Sequence, residues 1–141
     1  MGSYMVGAMK SLDSAVSVSG QLRPEDVASS GAAMIVNNRP DGEEPGQPLS
    51  ADIEAAAAAA GIAYRHIPVS GGFSLPQVTQ MAEALGAAEG PVLAFCKSGT
   101  RSTFLWALAR SHMGDEAEAV VAKAAAAGYD LSPIRAFLAR G

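Results

Sequence analysis

Short apolar runs alternate with longer helical patterns along all 141 residues. Ser14 to Ser19, SAVSVS, alternates strictly and puts its valines on one face, which predicts a strand. GQLRPEDVASSG follows, with Pro24 suited to a first helical position, acids in the first turn and Gly31 as a stop, and predicts a short helix. AAMIVNN, Ala32 to Asn38, is continuously apolar at its centre, as in a strand covered on both faces. RPDGEEPGQPLS holds three prolines and two glycines and predicts a loop. Ser50 reads as the N-cap of an alanine-rich helix stopped by Gly61. Ile62 to Val69 predicts a third strand, broken by SGGF. Ser74 and Gln77 have capping-box spacing and open a helix to about Leu85. PVLAF, the most hydrophobic strand, is placed at the centre of the sheet, and a helix follows from about Ser102 to His112. DEAEAVVAKAAAAG and SPIRAFLARG, the latter capped by Ser132 and Pro133, complete the helical pattern.

Strands alternating with helices predict an α/β single domain with a mostly parallel sheet of four to five strands flanked by helices. Residues 13–141 form that domain, and residues 1–12 read as an N-terminal tail that fits an appended tag. In such sheets ligands bind beyond the carboxyl ends of the strands, so GQL, RPDGEEPGQP, SGGF and CKSGTR should line one face.

Composition narrows the chemistry. Hydrophobic residues make up 49% and charged residues 17%, enough apolar side chain for a packed core. A net charge of −4 argues against a nucleic-acid partner. No run approaches the length of a membrane span, and no signal peptide is evident, so no membrane partner and a cytoplasmic location are expected. One cysteine excludes an internal disulfide. No histidine, cysteine or carboxylate cluster has metal-ligand spacing, and no dinucleotide fingerprint occurs, so no metal and no cofactor are expected.

The single cysteine sits at a telling place. Cys96 ends the central strand, a small-residue loop containing Lys97, Ser98, Gly99 and Thr100 folds round it, and a helix starts at once. Successive amide N–H groups in such a loop form an anion nest, and the helix N-terminus adds positive potential. Arg101 supplies a planar cation suited to an oxyanion. Together these favour the thiolate, the reactive form of cysteine. Cys96 is therefore the candidate nucleophile, with Arg101 and Ser102 as catalytic partners. The Ser102 hydroxyl would donate to the thiolate or simply cap the helix. Lys97, Ser98, Gly99 and Thr100 would cradle a small anion. Arg39, leaving the second strand on the same face, would contact the substrate or pair with carboxylates of its own loop.

The stretch VSGQLRPEDVASSGAAMIVNNRPDGEEPGQP, followed by YRHIPV and CKSGTRSTFLWAL, resembles the phosphatase-like domain of beta-lactamase-hydrolase-like proteins over Val16 to Leu131. That resemblance implies a fold similar to dual-specificity protein tyrosine phosphatases, with IVNNRPDGE in their second-strand region. A rhodanese also closes its active loop over a Cys-to-Arg hexapeptide, but DVR and GHIPGA segments are missing here.

Three departures from the tyrosine-phosphatase pattern bear on the reaction. Four residues separate Cys96 from Arg101 where those enzymes have five, Phe95 stands where they have histidine, and VSGGFS carries no carboxylate where they have an aspartate acid. A general acid is worth roughly 10²–10⁴-fold when the leaving group is poor. Sulfite or a thiolate leaves without that help. The leading expectation is thus a rhodanese-type sulfurtransferase, with a thiosulfate- or persulfide-like donor, a Cys96 persulfide and a small thiol acceptor. The alternative is a cysteine-dependent phosphatase forming a cysteinyl-phosphate, which would need Asp41, Glu43 or Glu44 as acid. A third reading is a non-catalytic module that binds an anion or persulfide. Asp41 and Glu43 otherwise read as loop solvation, His66 as a histidine with a local partner, His112 as a helix C-terminal cation, and Trp106, Phe104 and Leu105 as helix packing.

Overall fold

The computed structural model describes residues 9–138. Five strands form one sheet: β1 (Lys10–Ser11), β2 (Val16–Ser19), β3 (Met34–Asn37), β4 (Ala63–His66) and β5 (Val92–Phe95). Four α-helices accompany them: α1 (Ser50–Ala60), α2 (Leu75–Ala87), α3 (Thr100–His112) and α4 (Ala117–Ala126). The sheet order is β1-β2-β5-β3-β4, so β5 is central, and only β1 runs antiparallel to its neighbour.

Alternation along the strands explains both cores. Val92 and Ala94 of β5 join Met34, Val36, Val16 and Val18 against α2, α3 and α4. Leu93 and Phe95 face the other way and pack with Ile35, Ile53 and Ala57 under α1. A strand buried on both faces must be apolar at every position, and β5 is. Phe95 and Trp106 are wholly buried, each contributing roughly 2–3 kcal/mol by apolar transfer. Trp106 also donates through Nε1 to Asp13 Oδ2 at 3.1 Å, while Asp13 Oδ1 accepts the Ala15 and Val16 N–H groups.

Several expected boundaries move. Lys10 and Ser11 pair with β2 and Leu12 is buried, so the domain begins inside the expected 1–12 tail; residues 1–8 lie outside the described residues, as do 139–141. The helix expected after Pro24 is one 3-10 turn, Pro24–Asp26. Asp26 folds back to accept the Arg23 N–H, and buried Val27 pins the chain before a second turn can form. Helix α1 is capped by Leu49 instead of Ser50; Asp41 Oδ1 accepts the Ser50 N–H at 2.7 Å, and the Ser50 hydroxyl pairs with that of Tyr64. The last segment is a 3-10 helix, Ser132–Phe137, flanked by Leu131. The Ser74–Gln77 capping box forms as expected and opens α2.

Candidate active site

The ends of β2, β3 and β5 place the cysteine loop. Cys96 follows β5 directly; its N–H donates to Ser19 O, and the Asn38 N–H donates to Phe95 O. The chain then turns through Gly99, whose φ of +90° favours glycine, and Gly99 forms the N-cap of α3. A side chain on Gly99 would also meet the Tyr129 hydroxyl, and a Cβ on Gly20 would lie 2.9 Å from Lys97 O. Two missing side chains therefore let this loop close. Cys96 is wholly buried, and its Sγ accepts the Gly99 N–H at 3.1 Å.

Arg101, the second residue of α3, is held by its outer edge. Nη1 donates to Glu43 Oε2 at 2.7 Å and to Val69 O at 2.8 Å, and Nη2 donates to Glu43 Oε1 at 2.9 Å. Nε takes no part in these contacts, and the guanidinium also lies within hydrogen-bond reach of the Cys96 thiol. The guanidinium's proton affinity is raised chiefly by Glu43, against the effect of burial, with Cys96 adding to the rise. Cys96 and Arg101 are thus brought together, as their spacing implies. Glu43 is held down at about 2, first by its hydrogen bonds from Arg101 and then, against burial, by Arg39.

Arg39 is 3% exposed and does not present an open guanidinium to substrate. Nε donates to Glu43, Nη1 to Gln21 Oε1 and Nη2 to Glu44. Its carboxylate pairing is the role the structure shows, because burying the cation demands partners. Lys97 is exposed and pairs with Glu44 at 2.8 Å, which lowers the Glu44 carboxyl first through Lys97 and then through Arg39. A continuous chain results: Lys97, Glu44, Arg39, Glu43, Arg101. The loops after β2, β3, β4 and β5 do converge on one face.

Ser102 departs from both of its expected roles. Helix α3 starts two residues earlier than the sequence suggests, because Gly99 supplies the left-handed cap, so Ser102 is the third helical residue. Its buried hydroxyl has no hydrogen-bond partner among the described residues and does not donate to Cys96. The Asn38 Oδ1 atom is likewise unpartnered, although Asn38 Nδ2 donates to Ile67 O. Within the loop, the Ser98 hydroxyl donates to Thr100 Oγ1. The His66 ring pairs with Arg39 O, and His112 lies in the last turn of α3. A groove of about 690 Å³, lined mostly by apolar side chains of α2, α3 and the final 3-10 helix, does not include Cys96.

Sequence reasoning missed two residues of the site. Glu43 read as loop solvation or as an acid, and it is the anchor of Arg101. Its only sequence signal is a carboxylate four residues after an arginine in a Pro/Gly loop. Tyr129, far along the chain, carries none.

A buried thiol at the mouth of a central parallel strand, an amide donor on its sulfur and an arginine held beside it define a phosphatase-like thiol site. The comparisons agree with that class. Residues 8–113 match the family described as the beta-lactamase hydrolase-like protein, phosphatase-like domain, and the chain belongs to that family. A beta-lactamase hydrolase-like protein of Xylella fastidiosa (strain Temecula1) is 38% identical over 133 residues, covering 89% of this chain and 30% of the relative. The chain thus spans less than a third of the length of that curated relative. Among solved structures, a candidate phosphatase from Neisseria meningitidis Z2491 is similar with a TM-score of 0.75 and 35% identity, covering 90% of this chain and 93% of that one. The core catalytic domain of the PP-IP phosphatase from S. cerevisiae shares the fold, with a TM-score of 0.68 and 16% identity over 96% of this chain and 86% of that one.

The tyrosine-phosphatase-like fold is therefore shown, and the phosphatase alternative has more support from relatives than the sulfurtransferase expectation. Among the described residues, no helix is long and apolar enough to cross a membrane.

Proposed function

We propose that this domain is a cysteine-dependent, phosphatase-like enzyme for small anionic substrates whose leaving group departs without a proton. The observation that carries the second half of that reading is the state of the loop carboxylates. Glu43 is clamped at about 2 by Arg101 and Arg39, Glu44 is paired with Lys97 and Arg39, and Asp41 accepts the first N–H of α1. An acid must hold a proton near the working pH to give it away. Glu43 does not.

In this reading the Cys96 thiolate attacks phosphorus, the bond to the leaving oxygen breaks, and Cys96 carries the phosphoryl group. Arg101 and the loop amides hold the phosphoryl oxygens. Water then attacks phosphorus, releasing phosphate and the thiol. Acyl phosphates, phosphoanhydrides and activated aryl phosphates fit; alkyl phosphates do not.

Sulfane sulfur transfer is the second reading, favoured by the four-residue spacing of Cys96 and Arg101 together with the same lack of an acid. There the thiolate attacks the outer sulfur of thiosulfate, the S–S bond breaks, sulfite leaves and a Cys96 persulfide remains for a thiol acceptor.

One panel tests both. Acetyl phosphate, p-nitrophenyl phosphate and an alkyl phosphate are offered to wild type and to Cys96→Ser, and intact mass is read after thiosulfate. Turnover of the first two at least about a hundredfold above the alkyl ester, lost in Cys96→Ser, supports the proposal. Equal rates on all three would sink it. One added sulfur atom on Cys96 without phosphate turnover would put sulfur transfer in its place.

A further inference from the structure

We infer that Tyr129 is a positioning residue for Cys96, acting through a single peptide unit; the inference rests on Cys96 being the nucleophile. The carbonyl of Ser98 and the N–H of Gly99 belong to the same peptide, and no described peptide bond is cis. In a planar trans unit these two groups point in opposite directions. The Tyr129 hydroxyl donates to the Ser98 carbonyl at 3.3 Å, and the Gly99 N–H donates to Cys96 Sγ at 3.1 Å. Holding the carbonyl outward aims the N–H inward at the sulfur. Donation to one end also polarises the other, because linked hydrogen bonds reinforce each other.

The hydroxyl is placed for this. Helix α4 ends at Ala126, the Tyr129 N–H returns to Ala124 O, and Lys10 Nζ sits 5.6 Å from the ring centroid. The hydroxyl then lies where a Gly99 side chain would be, so glycine and tyrosine occupy one space between them. Thr103 Oγ1 donates to Gly99 O and so holds the next peptide, and its hydroxyl also lies within hydrogen-bond reach of Tyr129. Tyr129 lies beyond residues 8–113, outside the part of the chain that the family match covers.

A hydrogen bond to a thiolate favours the charged form, so losing its orienting partner should disfavour it. The titratable groups around the sulfur are Arg101, Glu43 on Arg101, Arg39 and Lys97 on the Glu43–Glu44 pair, Lys10 over Tyr129, and the Tyr129 phenol, which burial and then Cys96 keep protonated. Tyr129→Phe removes the phenol and leaves the charged groups in place.

The test is the pH dependence of iodoacetamide alkylation at Cys96, with thiolate absorbance read alongside, in wild type, Tyr129→Phe and Tyr129→Leu. Expected is an upward move of the midpoint in both variants and alkylation about threefold slower at neutral pH, with only Tyr129→Leu losing appreciable thermal stability. A midpoint unchanged in Tyr129→Phe while wild-type Cys96 is activated overturns the role of Tyr129 alone. A wild-type thiol that titrates like a free cysteine overturns the nucleophile reading and the Tyr129 role with it.

Discussion

Glu43 and Arg101, 58 residues apart in the chain, meet through two parallel hydrogen bonds of 2.7 and 2.9 Å. The pair joins the loop after β3 to the first turn of α3 and sets which edge of the guanidinium is spoken for. Such fork-to-fork pairing fixes direction as well as charge.

Stability should therefore fall in acid. The Glu43 carboxyl is depressed from 4.5 to about 2, so its contribution is full above about 4.5 and is lost as pH falls through about 2. Partial exposure and screening reduce it to roughly 1–2 kcal/mol. Urea unfolding at about pH 6 and about pH 2 should show a smaller acid loss for Glu43→Gln than for wild type. Equal losses would mean the pair is not what acid breaks.

Rate should not depend on a protonated carboxylate. The profile of kcat/KM on acetyl phosphate should lack a falling basic limb between about pH 5 and pH 8. A bell-shaped profile abolished by Glu43→Gln or Glu44→Gln would restore a carboxyl acid.

Gly99→Ala should damage the loop on two counts, backbone and contact. At φ +90° an alanine is strained, and its methyl group meets the Tyr129 hydroxyl. We expect a loss of roughly 2–3 kcal/mol and at least about tenfold in kcat. Calorimetry with steady-state rates checks this, and wild-type values on both would refute the tight closure described for the loop.

Arg39 and Lys97 should behave oppositely although both face Glu44. Arg39 is buried with three side-chain partners, and Arg39→Ala should cost about 2 kcal/mol. Lys97 is 60% exposed, and Lys97→Ala should stay within about 0.5 kcal/mol. Denaturant midpoints of the two variants decide it; similar losses would contradict the burial argument.

What could be read from the chain followed from what is local. The period-two valines of β2, the doubly apolar β5 and the capping box of α2 carry their own patterns, so these elements, the central place of β5 and the position of Cys96 emerge. β1 is two exposed residues with no period to read. The start of α3 was hidden because its cap is a backbone conformation of Gly99, while Ser102 carries the usual capping chemistry without using it. Glu43 and Tyr129 act across 58 and 31 residues. Their partners are chosen by the fold, and no local spacing encodes them.

The ion-paired chain across the site has an uneven ledger. Lys97, Arg39 and Arg101 bring three positive charges, and Glu43 and Glu44 bring two negative ones. One positive charge is left over, beside the sulfur. Ionisation of Cys96 would bring the constellation to neutrality before any substrate arrives. An anionic substrate would then meet no net charge in these side chains, and its grip would rest on directed hydrogen bonds, from Arg101 and from the amide dipoles at the start of α3. Neutral balance of that kind favours release of the anionic product as much as capture of the anionic substrate.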